Sequence, residues 1–253
     1  MGPGDFAPLT PDAAAALLAE APLPPALQAS LPYSPGGKRG GTLALLSFAA
    51  ELEAAPGRVT EPMIGRIRFQ WWRDAVAELF GGEPVRHHPL VIALQQSVPG
   101  MPGMRAALDA MIDGAETVLD ATEPKDAASA SALTAALYAP LGSALSMWLT
   151  GDDTRAQPVG RALALAAAVR AAAENHRPPE RGLARMTDLI GPLDSASFAP
   201  LIEDHTRTLG RLPAALVPAA LPFALAKAHA SGKQPGPLAI RTRYLRAVLT
   251  GRF

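Results

Sequence analysis

The chain has 253 residues, 23 basic and 23 acidic side chains, 49% hydrophobic and 18% charged residues. That length buries an ordinary core in one large domain or two small ones. Zero net charge argues against a nucleic-acid binder with a general basic footprint, and the apolar content against a disordered tail. With no cysteine, disulfides, thiolate nucleophiles, iron–sulfur clusters and Cys-based zinc sites are excluded.

Alanine dominates and aromatics are only 5%, so helix propensity outweighs strand propensity and the chain reads as all-α. The 26 prolines and 22 glycines are then punctuation between helices. The amino-terminal stretch carries acids and no arginine, unlike a secretory signal or an Arg-rich transit peptide. Phe6 breaks the myristoylation pattern after Gly2. The expected location is the cytoplasm, or the periphery of the inner membrane.

In chain order, Thr10-Pro11-Asp12 opens a short helix through Glu20, with Thr10 as cap, and Pro22, Pro24 and Pro25 stop it. A glycine-rich loop over 34–41, with Lys38 and Arg39, precedes a helix ending near Ala55. Glu61-Pro62 starts a long helix that Gly81-Gly82 ends. Its apolar residues Ile64, Ile67, Trp71, Ala75 and Leu79, widened by Phe69, Trp72 and Val76, predict a helix packed on both sides near the domain centre. His87-His88-Pro89 begins the next helix, and another covers residues 103–121.

Residues 127–151 carry no charge and are long enough to cross a bilayer. Their Ser, Thr, Ala and Gly content, with Pro140 and Gly142 in the middle, favours a buried core helix closely approached by its neighbours. An Ala-rich helix over 160–175 has Arg170 as its interior charge, and a Pro-rich charged loop follows at 176–182. Residues 197–230 read as helices divided at Pro213, Pro218 and Pro222. A basic helix closes the chain. No repeat and no long linker divides it; residues 1–29 read as an N-terminal helical extension and 30–253 as the domain.

Several groups could carry chemistry. Asp109, Asp113, Glu116 and Asp120 lie on one helix face, a stripe able to hold Mg²⁺ with substrate phosphates or to be a solvated face. Arg66 and Arg73, seven residues apart beside Trp71-Trp72, suit diphosphates or carboxylates, or salt bridges within the bundle. The histidines lack zinc spacing, and Glu203-Asp204-His205 reads as a charged helix face.

The run from Glu61 to Leu94, with Arg68-Phe69-Gln70-Trp71-Trp72 at its centre, resembles the squalene and phytoene synthase family. Pro35 to Arg39 is similar to that family's Pro-x-x-x-Arg loop. Residues 111–120, 136–151, 160–170, Arg181-Gly182 and 188–191 resemble its later helices and loops, so the likeness covers about residues 30 to 225. The resemblance implies a single-domain isoprenoid-synthase-like helical bundle around a central apolar cavity. It also implies two facing aspartate motifs that hold Mg²⁺ and two prenyl diphosphates for head-to-head condensation.

Both motifs are depleted here. In register from Arg39 the first falls on 53–57, leaving Glu53; shifted towards the tryptophans it leaves Glu61. The second has Ala171 and Asn175 at its aspartate positions, with Glu174 beside them, and the family's Gly-Arg-x-Tyr strip becomes Arg181-Gly182-Leu183-Ala184. Ionising a diphosphate in an apolar cavity requires metal ions and bases around it. The resemblance thus points to a non-catalytic branch, which includes an assembly factor for respiratory complex I, with no cofactor. Candidate ligand-binding residues are Arg39, Glu53, Glu61, Arg66, Trp71, Arg170, Glu174 and Arg181, for an isoprenoid or lipid-like ligand or a membrane-complex subunit. The alternative is a Mg²⁺-dependent prenyltransferase using those carboxylates and the 109–120 stripe. A helical scaffold with a filled core and no ligand is the third reading.

Overall fold

The computed structural model describes residues 10, 17, 23–82, 84–98, 100–175 and 181–253. The helix expected over 10–20 and the loop after Asn175 fall largely outside the described residues. Those described are helical, without a strand among them.

Helix α1 (Pro25–Ser30) starts at Pro25, a proline the sequence reading took as a stop; proline is as well suited to the first helical position as to a break. Then come α2 (Arg39–Ala54), α3 (Pro62–Gly81), α4 (Pro89–Ser97) and α5 (Met104–Glu116). The central pair is α6 (Ala127–Thr150) and α7 (Ala156–Glu174). Short pieces follow: α8 (Met186–Ile190), α9 (Ala199–Leu209), α10 (Val217–Ala220) and α11 (Ala226–Ala230). The last helix is α12 (Pro237–Thr250). Gly82 ends α3 at φ 80°, and His88 caps α4 by accepting the Leu90 N–H at 3.2 Å, as the sequence reading anticipates. The sequence reading assigns no helix at α8; five residues carry too little periodicity to announce one.

Helices α6 and α7 share the largest interface of the bundle, with α5 and α2 against α6, and α9, α11 and α8 against α7. The small residues of the uncharged stretch explain the pairing. A Cβ on Gly142 would lie 2.4 Å from the Gly160 Cα, and one on Gly114 would lie 1.9 Å from the Ala136 carbonyl oxygen. Only glycine permits those backbone approaches, and Thr134 seals the first interface by donating its hydroxyl to the Ala164 carbonyl at 3.0 Å. Helix α6 is long and apolar enough to cross a membrane, and 61% of its most apolar window is buried in the bundle.

Helix α3 corrects the sequence reading. Its buried face is Gly65, Phe69, Trp72, Val76 and Leu79, with Ala75, whereas Ile64 and Ile67 are 47% and 63% exposed. The helix is covered on one face only at its first turns. The face reading also fails for His205: it is buried, its ring edge-on to Phe223 at 5.1 Å and its Nε2 3.0 Å from the Pro158 carbonyl oxygen. Phe198, Ile202 and Leu209 share that buried side, so His205 completes an apolar stripe at three- and four-residue spacing.

Candidate functional site

Helices α2 and α7 bring their carboxyl-terminal turns toward one polar centre. Glu53, in the last turn of α2, accepts the Tyr138 hydroxyl of α6 at 2.8 Å. Arg170, near the end of α7, donates to Glu174 at 2.8 Å, and its side chain is 14% exposed. Burial opposes the Arg170 charge, yet the carboxylates of Glu53 and Glu174 hold the guanidinium protonated, above its ordinary value. Burial, with Glu53 alongside, pushes the Tyr138 phenol well up. The centre joins acid, phenol, guanidinium and acid.

A second cation approaches from the segment before α8. Arg185 grips the buried Asp188 with two hydrogen bonds of 2.8 Å. These bonds first, against burial and with help from Glu53, raise its pKa. The strip 181–185 is fastened to the turn after α2: Leu183 donates its N–H to the carbonyls of Pro56 at 3.1 Å and Val59 at 2.9 Å. Gly182 adopts φ 106°, and a Cβ there would strike the Gly57 carbonyl oxygen at 2.2 Å. The strip thus lies where the two motif regions meet, and Arg58 in the same turn clamps the buried Glu51 at 2.6 Å.

A small, mainly apolar cavity opens beside this centre. Its free volume is about 20 Å³, lined by Tyr138, Leu163, Ala167, Arg170 and His229, with Leu27 of α1 among the residues that close it. That is room for about one water, against the several hundred Å³ of an ordinary ligand pocket. Burial lowers the His229 pKa, and its Nδ1 has no hydrogen-bond partner among the described residues.

The carboxylates do not fit a magnesium–diphosphate cluster. Glu51 faces Arg58, Glu53 faces Tyr138 and Arg170, Glu174 faces Arg170, and Asp188 faces Arg185. Mg²⁺ needs free oxygens in near-octahedral array, and no group of three or more acidic or histidine side chains among the described residues could hold a metal. Asn175, at the second motif's expected partner position, instead ends α7 in the left-handed conformation at φ 50°, a position that asparagine suits.

The remaining candidates lie elsewhere. Arg39 opens α2, about 21 Å along the helix from Glu53, and donates to the Pro32 carbonyl at 3.1 Å. Glu61 is the exposed cap residue of α3, with no side-chain cap bond. Arg66 holds Asp120 at 2.7 Å, and Arg73 holds Asp113 at 2.7 Å and also Glu116. The arginine pair of α3 is thus answered by Asp113 and Glu116 of α5 and by Asp120 in the 3-10 turn that follows, off the helix on which the sequence reading places it, while Asp109 faces Arg105 at 3.7 Å. Arg181 is exposed at the start of the 181–185 strip. Trp71 stacks edge-on with Trp72 and His88, has the Arg86 guanidinium 4.7 Å over its ring, and lines an outer groove of about 380 Å³. Beneath it Trp72 and Phe48 fill the core.

Sequence reasoning missed Tyr138, Arg185, Asp188 and His229. A lone tyrosine in an otherwise uncharged helix was the available signal for the first; the others come from short elements without periodicity. Compared with known proteins, the family model for squalene/phytoene synthase matches residues 27–184, more than half of the chain. No curated protein and no solved structure matches it.

Proposed function

Because the chain belongs to the squalene/phytoene synthase family, we propose that it is a non-catalytic member, acting by binding in the assembly of a respiratory membrane complex. One observation carries the non-catalytic reading: Arg170 stands between the acids that remain near the motif positions, paired with Glu174 and within the field of Glu53. A diphosphate leaving group is drawn off by positive charge that metal ions bring to free carboxylates. Here the acids are taken up by the protein's own cations, and the adjoining cavity is too small for a prenyl chain. The assembly role rests on the likeness of the α3 helix to the family's non-catalytic branch.

A second reading, an isoprenoid-like chain bound without turnover, is favoured by the cavity's apolar walls and its polar end at Arg170, Tyr138 and His229. Such a ligand requires α1 to withdraw. Titrating the purified protein with farnesyl or geranylgeranyl diphosphate and Mg²⁺, while assaying pyrophosphate, separates the readings. The expected result is no pyrophosphate; heat of binding without release supports the second reading, and release establishes a prenyltransferase. Gene deletion is expected to lower assembled respiratory complex I with isoprenoid products intact, and the opposite pattern overturns the assembly role.

A further inference from the structure

After Asp204 the chain contains no acid and eight cations: Arg207, Arg211, Lys227, Lys233, Arg241, Arg243, Arg246 and Arg252. In a chain of zero net charge this is a strong asymmetry, and α12 displays its centre. The helix is anchored by one side. Tyr244 is buried, donating its hydroxyl to the Ala26 carbonyl at 2.9 Å, and Ala247 packs beside it. Leu212 donates its N–H to the Gly251 carbonyl at 2.9 Å, fixing the helix end.

The opposite side is where the apolar residues are out of place. Leu238, Leu245 and Leu249 are 78%, 51% and 73% exposed, three of the six large apolar side chains so exposed among the described residues. At 100° per residue they fall within about 40° of one line, a ridge about 16 Å long. Arg241 flanks that ridge on one side and Arg246 on the other, each within about a quarter turn. Behind Arg246 lies a groove of about 510 Å³ lined by Lys227, Arg243, Arg246, Thr250 and Arg252. Arg207 lies 3.6 Å from Asp204, whereas Lys227, Arg241, Arg243, Arg246 and Arg252 have no acidic partner among the described residues.

Leucines in water flanked by unpaired cations, with no acid to answer them, match a surface that is apolar within and anionic at its boundary. We propose that α12 docks the protein on an anionic lipid bilayer, with the leucine ridge in the acyl boundary and Arg241, Arg246 and the groove cations on the lipid phosphates. An interfacial helix of this design gains from buried apolar area and from each cation near the anionic surface. The proposal stands independently of the state of the polar centre.

Flotation with vesicles tests it. The protein is expected to float with vesicles of equimolar phosphatidylcholine and phosphatidylglycerol and not with phosphatidylcholine alone, and added salt should weaken binding. The variant Arg241→Gln/Arg246→Gln should bind about 30-fold more weakly, at roughly 1 kcal/mol per cation. Leu238→Ser/Leu245→Ser/Leu249→Ser should lose at least about tenfold. Because the chain has no cysteine, Leu245→Cys carrying an environment-sensitive fluorophore gives a readout in an otherwise unaltered fold. Its emission should shift to the blue on phosphatidylglycerol vesicles, and that of a label at Glu123→Cys should not. Equal flotation with both lipids, arginine variants that bind like wild type, or retention on heparin or an acidic protein with no vesicle binding would each overturn the proposal.

Discussion

Two regions of the molecule use the same chemistry, arginine against carboxylate, in opposite settings. Between α3 and α5, Arg66 and Arg73 meet Asp113, Glu116 and Asp120 at the surface, where Asp113 and Asp120 side chains are about two-thirds exposed. Between α2, α6 and α7, the largely buried Arg170 meets Glu53, the buried Tyr138 and, at the rim, Glu174. The outer set is a clamp whose members water solvates as readily as they solvate one another. In the inner set the Arg170 guanidinium and the Tyr138 phenol have given up hydration and depend on the carboxylates beside them. The contrast teaches that count of ion pairs says little and burial says much.

The largest effect should come from cutting the inner set. Arg170→Met removes the largely buried guanidinium from between Glu53, Tyr138 and Glu174 and should cost about 3–5 kcal/mol in denaturant unfolding; a loss below about 1 kcal/mol would erase the distinction between the two regions. The buried His205 sharpens it with pH. Burial first, and the nearby Arg161 charge, lower its pKa from 6.5 to about 4. The unfolded chain therefore binds the proton at higher pH than the folded one. The stability this site supplies is complete above pH 6.5 and is lost as pH falls toward 4, by up to about 3 kcal/mol. His205→Asn should flatten that part of the stability–pH curve, and an unchanged curve would show that the ring is not held neutral. The smallest effect is reserved for the outer clamp: Arg66→Gln, measured the same way, should cost less than about 1 kcal/mol and less still at high salt.

Much of the helix order was legible because its signals are local. Gly82 and Gly151 end α3 and α6 in the left-handed conformation, His88 caps α4, and the prolines at 213, 218 and 222 divide the late helices. The small residues of α6 announced close packing, and Gly142 against Gly160 delivers it. Exposure was less legible. Ile64 and Ile67 fit the apolar stripe of α3 as well as Trp72 does, and periodicity cannot say how far a partner helix extends along that stripe. The candidate site was legible in its parts. Glu53, Arg170 and Glu174 were singled out at their own positions, whereas Tyr138 and Arg185 became neighbours of Glu53 only through folding.

The sequence by itself determined that the chain is helical, where most of its helices stop, that it belongs to the squalene/phytoene synthase family and that the family's acid clusters are depleted. These are properties of residue type and short spacing. Tertiary structure alone decided that the remaining acids are answered by arginines, that the cavity beside them is small, and that three leucines of α12 face outward among cations without an acidic partner among the described residues. Each of those depends on which groups from distant segments share a few ångströms, and both Coulomb attraction and the exclusion of water are decided at that distance.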